Sequence, residues 1–385
     1  MQSLTAAPRE GMDPDVVMAL LTGDDLEVSA GLERVDNDGR MVEDLSAALV
    51  DGSVSWDGSV DVHRECSLVL NREIGWDRDR VRPYLDLSSD LLGVRARWWL
   101  GVFILTSPSE SWGAGDERTV AGLDLLHLLA CPIGNTLTAT KGTKVLAWCR
   151  DLVARTSFGP RVFFDSAGED ATFTEDMVWP LIPATGGGLA STTWLQPLAE
   201  ALSSIGFEKP WVDEAGQMRA RPLVPVSQRT PEHVLSADDV ARTILGPVRQ
   251  RQRDLTQIPN AWIFVAQGWD LTPVEGDGLY TPPDNLSVGP TSITARNGHR
   301  VLAVRELPAQ TQAALVAQAA TIVEADQRAA SKRTVEINPF PMMGHGDVYQ
   351  LEDAEVGAPV KAAAAAWTVH LNESNGSLTM KEVPT

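Results

Sequence analysis

A chain of 385 residues, 43% apolar and 22% charged, is too long for one ordinary core and too apolar for a disordered chain, so two to four packed units are expected. Its formal charge of −20 argues against a surface that grips phosphates, because affinity for nucleic acid rests on Lys and Arg. The same charge suits a surface past which DNA slides without sticking.

The longest apolar runs, residues 98–105 and 362–367, fall far short of the roughly 20 residues a bilayer span needs. The opening MQSLTAAPRE lacks a basic segment followed by a hydrophobic one, so no membrane segment or secretion signal is expected. Cys66, Cys131 and Cys149 are odd in number and widely spaced, which favours three buried thiols over a disulfide framework.

In chain order, residues 1–25 read as an arm with one helix at 14–21, capped by Asp13 and started by Pro14. A period of two follows: Val54, Trp56, Val60, Val62, Cys66, Leu68 and Leu70 share a phase with Arg64 and with Gly58, where a bend is expected. The same period returns at Val94, Ala96, Trp98, Leu100, Val102 and Ile104. It predicts a small antiparallel barrel or sandwich over 26–115, with Trp98 in its core and Trp99 at a contact or under a loop.

Residues 119–130 and 144–154 carry apolar residues at helical spacing, and each predicts a helix. Gly186 to Gly188 predict a turn, not a phosphate loop, since no Gly-Lys-Ser/Thr follows. A helix at 191–205 ends at Gly206. Then come a hairpin turning at Asp213 to Gly216, a helix at 236–245, a strand at 262–267, and a hairpin over 287–305 with Asn297-Gly298 as a type I′ turn. The longest helix is expected over 308–330, and strands return at Val335, Val348, Trp367 and Leu378. Together these give a β-rich α+β chain with a first barrel at 26–115. Mixed α/β insert domains at 116–205 plus 236–305 join it to a second barrel at 206–235 plus 306–385.

Chemistry is not legible. No two of the six histidines have metal-site spacing, His127 and Cys131 stand alone as a ligand pair, and no Gly-x-Ser-x-Gly occurs. The acidic pairs Asp24-Asp25, Glu169-Asp170, Asp238-Asp239 and Glu352-Asp353 read as caps, turns and solvated faces. The 12 tryptophans lie mostly at core phases, against a sugar-stacking surface. No catalytic residue, cofactor or metal is expected.

Three segments resemble known proteins: SVSWDGSVDVHRECSLVL with the later WWLGVFIL; GFEKPWVDEAGQMRARP with the later IPNAW; and NPFPMMGHGDVYQL with the later WTVHLNESNGSLTMKEV. They are similar to the minor tail and baseplate hub proteins at the tail tips of long-tailed phages of actinobacteria. The resemblance implies two tail-tube-like barrels, a homotrimer whose six barrels continue a sixfold tube, and residence in the virion after synthesis in the host cytoplasm. It further implies a distal tail protein, the tape measure protein and a tip fibre or other minor tail protein as partners, and passage of tape measure and genome during ejection. An acidic lumen follows as an expectation from the net charge. Trp99, Phe103, Asp347 and Val348 are the candidate interface residues. A lytic or host-binding extension is not expected. Alternative readings are a distal tail ring or carbohydrate-contacting adaptor, and a cell-wall hydrolase.

Overall fold

The computed structural model describes residues 19–383 except 22, 24, 73–79, 111–116, 160, 182–191, 237–244, 254–257, 267–275, 277, 310, 330, 338–341, 353–358 and 373–375. The expected arm before residue 19, the triple glycine and most of the expected helix at 236–245 lie outside the described residues. So do Asp24, Asp238, Asp239 and Asp353 of the acidic pairs.

Eight strands come first: β1 (Glu27–Val35), β2 (Met41–Asp44), β3 (Leu49–Asp57), β4 (Arg64–Leu70), β5 (Arg80–Ser89), β6 (Val94–Trp99), β7 (Phe103–Glu110) and β8 (Arg118–Asp124). The period of two holds within β3, β4 and β6, but it is corrected between and beyond them: Val60 and Val62 lie in the turn, with Val60 exposed, and past Leu100 the phase shifts, so that Phe103 and not Ile104 enters the main core. Val54, Trp56, Cys66, Leu68 and Leu70 are buried, while the residues between them in β3 and β4 are half-buried or exposed. The chain turns just past Gly58, where a Cβ would meet the Trp56 ring at 2.9 Å. Trp98 is fully buried and Trp99, on the opposite face, lies under the Arg82 guanidinium.

The expected helix at 119–130 is corrected. Residues 118–124 form β8, because Thr119 and Val120 are β-branched, Gly122 is costly in a helix, and both β4 and β7 offer partners. The turn of 3-10 helix at Leu125–Leu129 starts only after Asp124, whose carboxylate accepts from the Leu126 N–H at 2.9 Å.

An inserted unit follows, with β9 (Leu137–Ala139), α1 (Val145–Ala154), β10 (Val162–Phe164), β11 (Met177–Trp179), α2 (Leu195–Ser204), β12 (Trp211–Val212) and β13 (Met218–Ala220). Its core joins Leu146, Cys149 and Val153 of α1 to Leu198 and Leu202 of α2. The hairpin at Asp213 to Gly216 is present, with Gly216 at φ 76 and Asp213 Oδ1 accepting from the Ala215 and Gln217 amides.

After β14 (His233–Ser236) and β15 (Leu245–Arg253) comes a small α/β unit of β16 (Ala261–Ala266), β17 (Leu279–Tyr280), β18 (Leu302–Leu307) and α3 (Gln312–Ala329). Trp262, Phe264, Leu315 and Ala319 form its core. The expected hairpin over 287–305 is also corrected. Asn297 (φ 53) and Gly298 (φ 86) do make the primed turn, and the His299 amide donates to the Arg296 carbonyl at 3.1 Å. The turn lies in an irregular loop, however, and β18 pairs in parallel with β16. Local turn chemistry was right, but the long-range partner decided the topology.

The chain ends with β19 (Ser331–Ile337), β20 (Val348–Glu352), β21 (Val360–His370) and β22 (Gly376–Glu382). These strands, β14, β15 and the first eight form one fourteen-stranded sheet along the path β15-β19-β22-β21-β3-β4-β8-β7-β5-β1-β2, with β6 beside β5, β20 beside β21, and β14 beside β20. The two strand-rich halves are therefore joined directly, through antiparallel pairing of β21 with β3. Among the described residues the path stays open at β2 and β15, and its ladders do not close into two barrels. One core underlies both halves, holding Trp56, Trp98 and Leu68 with Trp367, Leu378 and Met380.

Candidate functional site

Because the sheet is continuous, paired residues form rows that cross the seam between the halves. One row runs Glu336, Ser377, Thr368, Ser55, Glu65, Leu123 across six strands. A second runs Gln250, Thr334, Thr379, Ala366, Asp57, and a third His370, Ser53, Ser67, Ala121. All point away from the core, and all are half-buried or exposed.

This face is lined by hydroxyls. Thr334 and Thr379 bond to each other at 3.0 Å, and Ser55 Oγ donates to Glu65 Oε1 at 3.2 Å. Its carboxylates, Asp51, Asp57, Glu65 and Glu336, face Lys332 and Lys381, which sit side by side in the ladder. This face is thus only weakly acidic. Most of the charge of −20 is carried elsewhere.

The same side of the sheet continues into β1, β5 and β6 with different chemistry. Glu33 accepts from Arg82 Nη2 at 2.6 Å and from Arg97 Nη1 at 2.9 Å, and Asp86 accepts from Arg97 Nε at 2.7 Å. The Arg82 and Arg97 guanidinium groups lie 3.9 and 3.6 Å over the rings of Trp99 and Tyr84. Beside them the inserted unit covers the sheet, with Val35, Val102 and Ile104 packed into its core.

Trp99 is the one member of the expected interface set that is half-exposed. Phe103 is buried in the main core. Asp347 and Val348 are fully buried at the start of β20, where Asp347 Oδ2 accepts from the Gly344 amide at 2.7 Å and lies 3.3 Å from His233 Nε2. These three residues make contacts inside the chain.

On the core side, a junction that sequence reasoning missed ties three remote segments together. Arg64 occupies an apolar phase of β4 and is buried; its Nη2 meets Glu214 of the insert at 2.5 Å and its amide donates to Asp124 Oδ2 at 3.0 Å. Its Nε and Nη1 have no partner among the described residues. His345 stacks on Trp211 at 4.7 Å and 6°, meets the edge of Trp56 at 5.5 Å, and lies 4.9 Å from His63. Burial holds the His63 imidazole below its usual range and His345 well below it, helped in His345 by the charges of Arg221 and Arg64. Burial also pushes the Asp124 carboxyl up to about 6. The signal available in the sequence was Arg64, a charge at a core phase.

Among the described residues no cluster of three His, Cys, Asp or Glu could hold a metal. Of the three cysteines expected to be buried, Cys131 is exposed; Cys66 and Cys149 are buried and their thiols are pushed up by burial, which disfavours the thiolate. Trp56, Trp98, Trp179, Trp211, Trp262 and Trp367 are all buried, so core filling, not sugar stacking, uses these rings.

No protein-family profile matches the sequence, and no curated protein matches it significantly. Solved structures do match. A tail protein from Neisseria meningitidis MC58 superposes over 92% of this chain and 96% of its own with a TM-score of 0.61 at 14% identity. The chain shares that protein's fold. The 43 kDa tail protein of prophage MuSo2 from Shewanella oneidensis agrees over 92% of this chain and 98% of its own, with a TM-score of 0.57 at 11% identity. A Francisella PdpA-VgrG complex contains a chain of which 54% corresponds to 95% of this one, at a TM-score of 0.54 and 8% identity. The likeness to the two tail proteins runs end to end, so the fold, insert included, is one architecture.

Proposed function

We propose that this chain is a structural hub of a phage tail tip, whose copies surround a conduit with the hydroxyl-lined face inward. The observation that carries the reading is that face: a weakly charged, Ser/Thr-lined wall spanning six strands of a sheet that joins both halves of the chain. A wall of short hydroxyl side chains, with few charges, offers no fixed grip to a polypeptide or a polyanion moving along it. The tail-protein fold, shared end to end, supports the placement.

In this reading three copies form the ring, each half of the sheet curling as one tube-like module. The distal tail protein lies above the ring, the tape measure protein ends within it, and a tip fibre or another minor tail protein lies below. Tape measure and genome pass through during ejection, in a long-tailed phage of actinobacteria. Trp99, at the rim of the arginine and aromatic network, is the retained candidate for contact with a neighbour. The work is mechanical and needs no catalytic group. Imaging of intact tails with antibody against the chain tests the proposal: label at the tip and threefold density support it. Sixfold density would move the chain to the distal ring, and label absent from particles overturns the reading.

A further inference from the structure

The buried junction holds two imidazoles side by side, with the Asp57 carbonyl 3.3 Å from His63 Nδ1. His345 lies in the turn before β20, stacked on Trp211 of β12, edge-on to Trp56 of β3 and 4.9 Å from His63 at the entry to β4. Trp56 in turn stacks on Trp367 of β21 at 6.5 Å. One turn thereby clamps the insert hairpin, the first half of the sheet and the second.

The charged groups around the pair are largely committed. From the β3–β4 side, Asp57 accepts from the Ser59 amide, Asp61 pairs with Lys209 at 2.9 Å, and Arg64 pairs with Glu214. From the insert, Glu208 pairs with Arg221 at 3.1 Å. From β8, Asp124 caps the turn that follows it and accepts from the Arg64 amide. From the C-terminal side, Asp347 is tied by one oxygen to Gly344 and His233, while its Oδ1 and the His345 Nδ1 have no partner among the described residues. A charged His345 would gain from the face of Trp211, but the Arg221 guanidinium already lies 5.2 Å over that ring.

We propose that the His63–His345 pair is an acid-sensitive latch. With both rings neutral, the turn before β20 seats under Trp56 and Trp211. When both charge, two cations 4.9 Å apart beside Arg64 and Arg221 in a buried site repel. The turn then lifts, releasing the β12–β13 hairpin from the sheet while the sheet itself stays paired.

Hydrogen exchange of the full chain at pH 7 and pH 5, corrected for the intrinsic pH dependence, tests this. Peptides covering 342–349 and 211–214 should lose protection by about tenfold or more, the factor for one unit of displaced titration, while β3, β21 and β22 keep theirs. The double variant His63→Gln, His345→Phe, which keeps a ring in the stack, should hold the same protection at both values. Equal protection in the native chain, or a loss that persists in the double variant, overturns the latch. Should the double variant not fold, His63→Gln alone decides: it must move the midpoint of the loss to lower pH, and an unmoved midpoint overturns the proposal.

Discussion

The two ends of one sheet side use opposite chemistry. Over β19, β22, β21, β3 and β4 the side carries small hydroxyls with few charges. Over β5, β1 and β6 it carries Arg82, Arg97, Glu33 and Asp86 locked together over Trp99 and Tyr84, with the insert packed alongside. Directional, bidentate groups fix one geometry and suit a permanent contact. Hydroxyls tolerate many alignments and suit a surface past which something moves. Backbone pairing is the same throughout, so the difference resides wholly in the side chains.

That contrast can be broken most forcibly at Glu33. Glu33→Ala leaves the buried Arg82 without its carboxylate, and a loss of about 3–5 kcal/mol is expected from denaturant midpoints. A loss below 1 kcal/mol would show that the network is ornamental. Next comes Gly31→Ala: an added Cβ would lie 2.2 Å from the Tyr84 ring and 2.6 Å from Ser46 Oγ, so overpacking should cost about 1–3 kcal/mol by the same measurement.

Acid should separate the junction from both faces. Both imidazoles are depressed below the unfolded value of 6.5, so the unfolded chain binds their protons first, and stability is lost as pH falls from 6.5. Asp124 is raised from 3.8 to about 6 and works in the opposite sense below about 6, as does the buried Glu208 carboxyl, raised by burial. The difference between His345→Phe and the native chain isolates the imidazole: the variant should gain about 1.4 kcal/mol in relative stability between pH 7.5 and 5.5. A pH-independent difference would exclude the depressed imidazole as its source.

The smallest effect belongs to the hydroxyl-lined face. Ser55→Ala, Thr368→Ala and Ser377→Ala should each stay within about 0.5 kcal/mol of the native stability, since no core contact is lost. Bulky cations there, as in Thr368→Arg with Ser377→Arg, should also leave the fold intact while lowering the infectivity of particles that carry them. Unchanged infectivity would argue that this face does not line a conduit.

Much of this was legible in the residues. Period two placed β3, β4, β6, β21 and β22, since one buried face leaves an unmistakable alternation. Helical spacing placed α1, α2 and α3. Residues 118–124 misled because Val120, Leu123 and Leu126 have helical spacing too, and only the neighbouring strands decide between the two. Asn297-Gly298 encodes a turn but not what the turn connects. The candidate site lies further from view. Ser53, Ser55, Thr368 and Ser377 looked like ordinary solvent positions, and they become one surface only through the pairing of β3 with β21. His63 and His345 likewise meet only because Trp56 and Trp367 lie opposite each other on that seam.

The seam also bears on how the chain comes to be folded. β3 is made early, yet its partner β21 lies in the final strands, so Trp56 waits for Trp367 through the synthesis of the whole insert. Until then β3 presents an open edge with apolar neighbours, the kind of edge that recruits other chains. Closing it carries a high contact order, and completion of the sheet should be the slow step of folding. A nascent chain paused before β21 would be the form most in need of a chaperone.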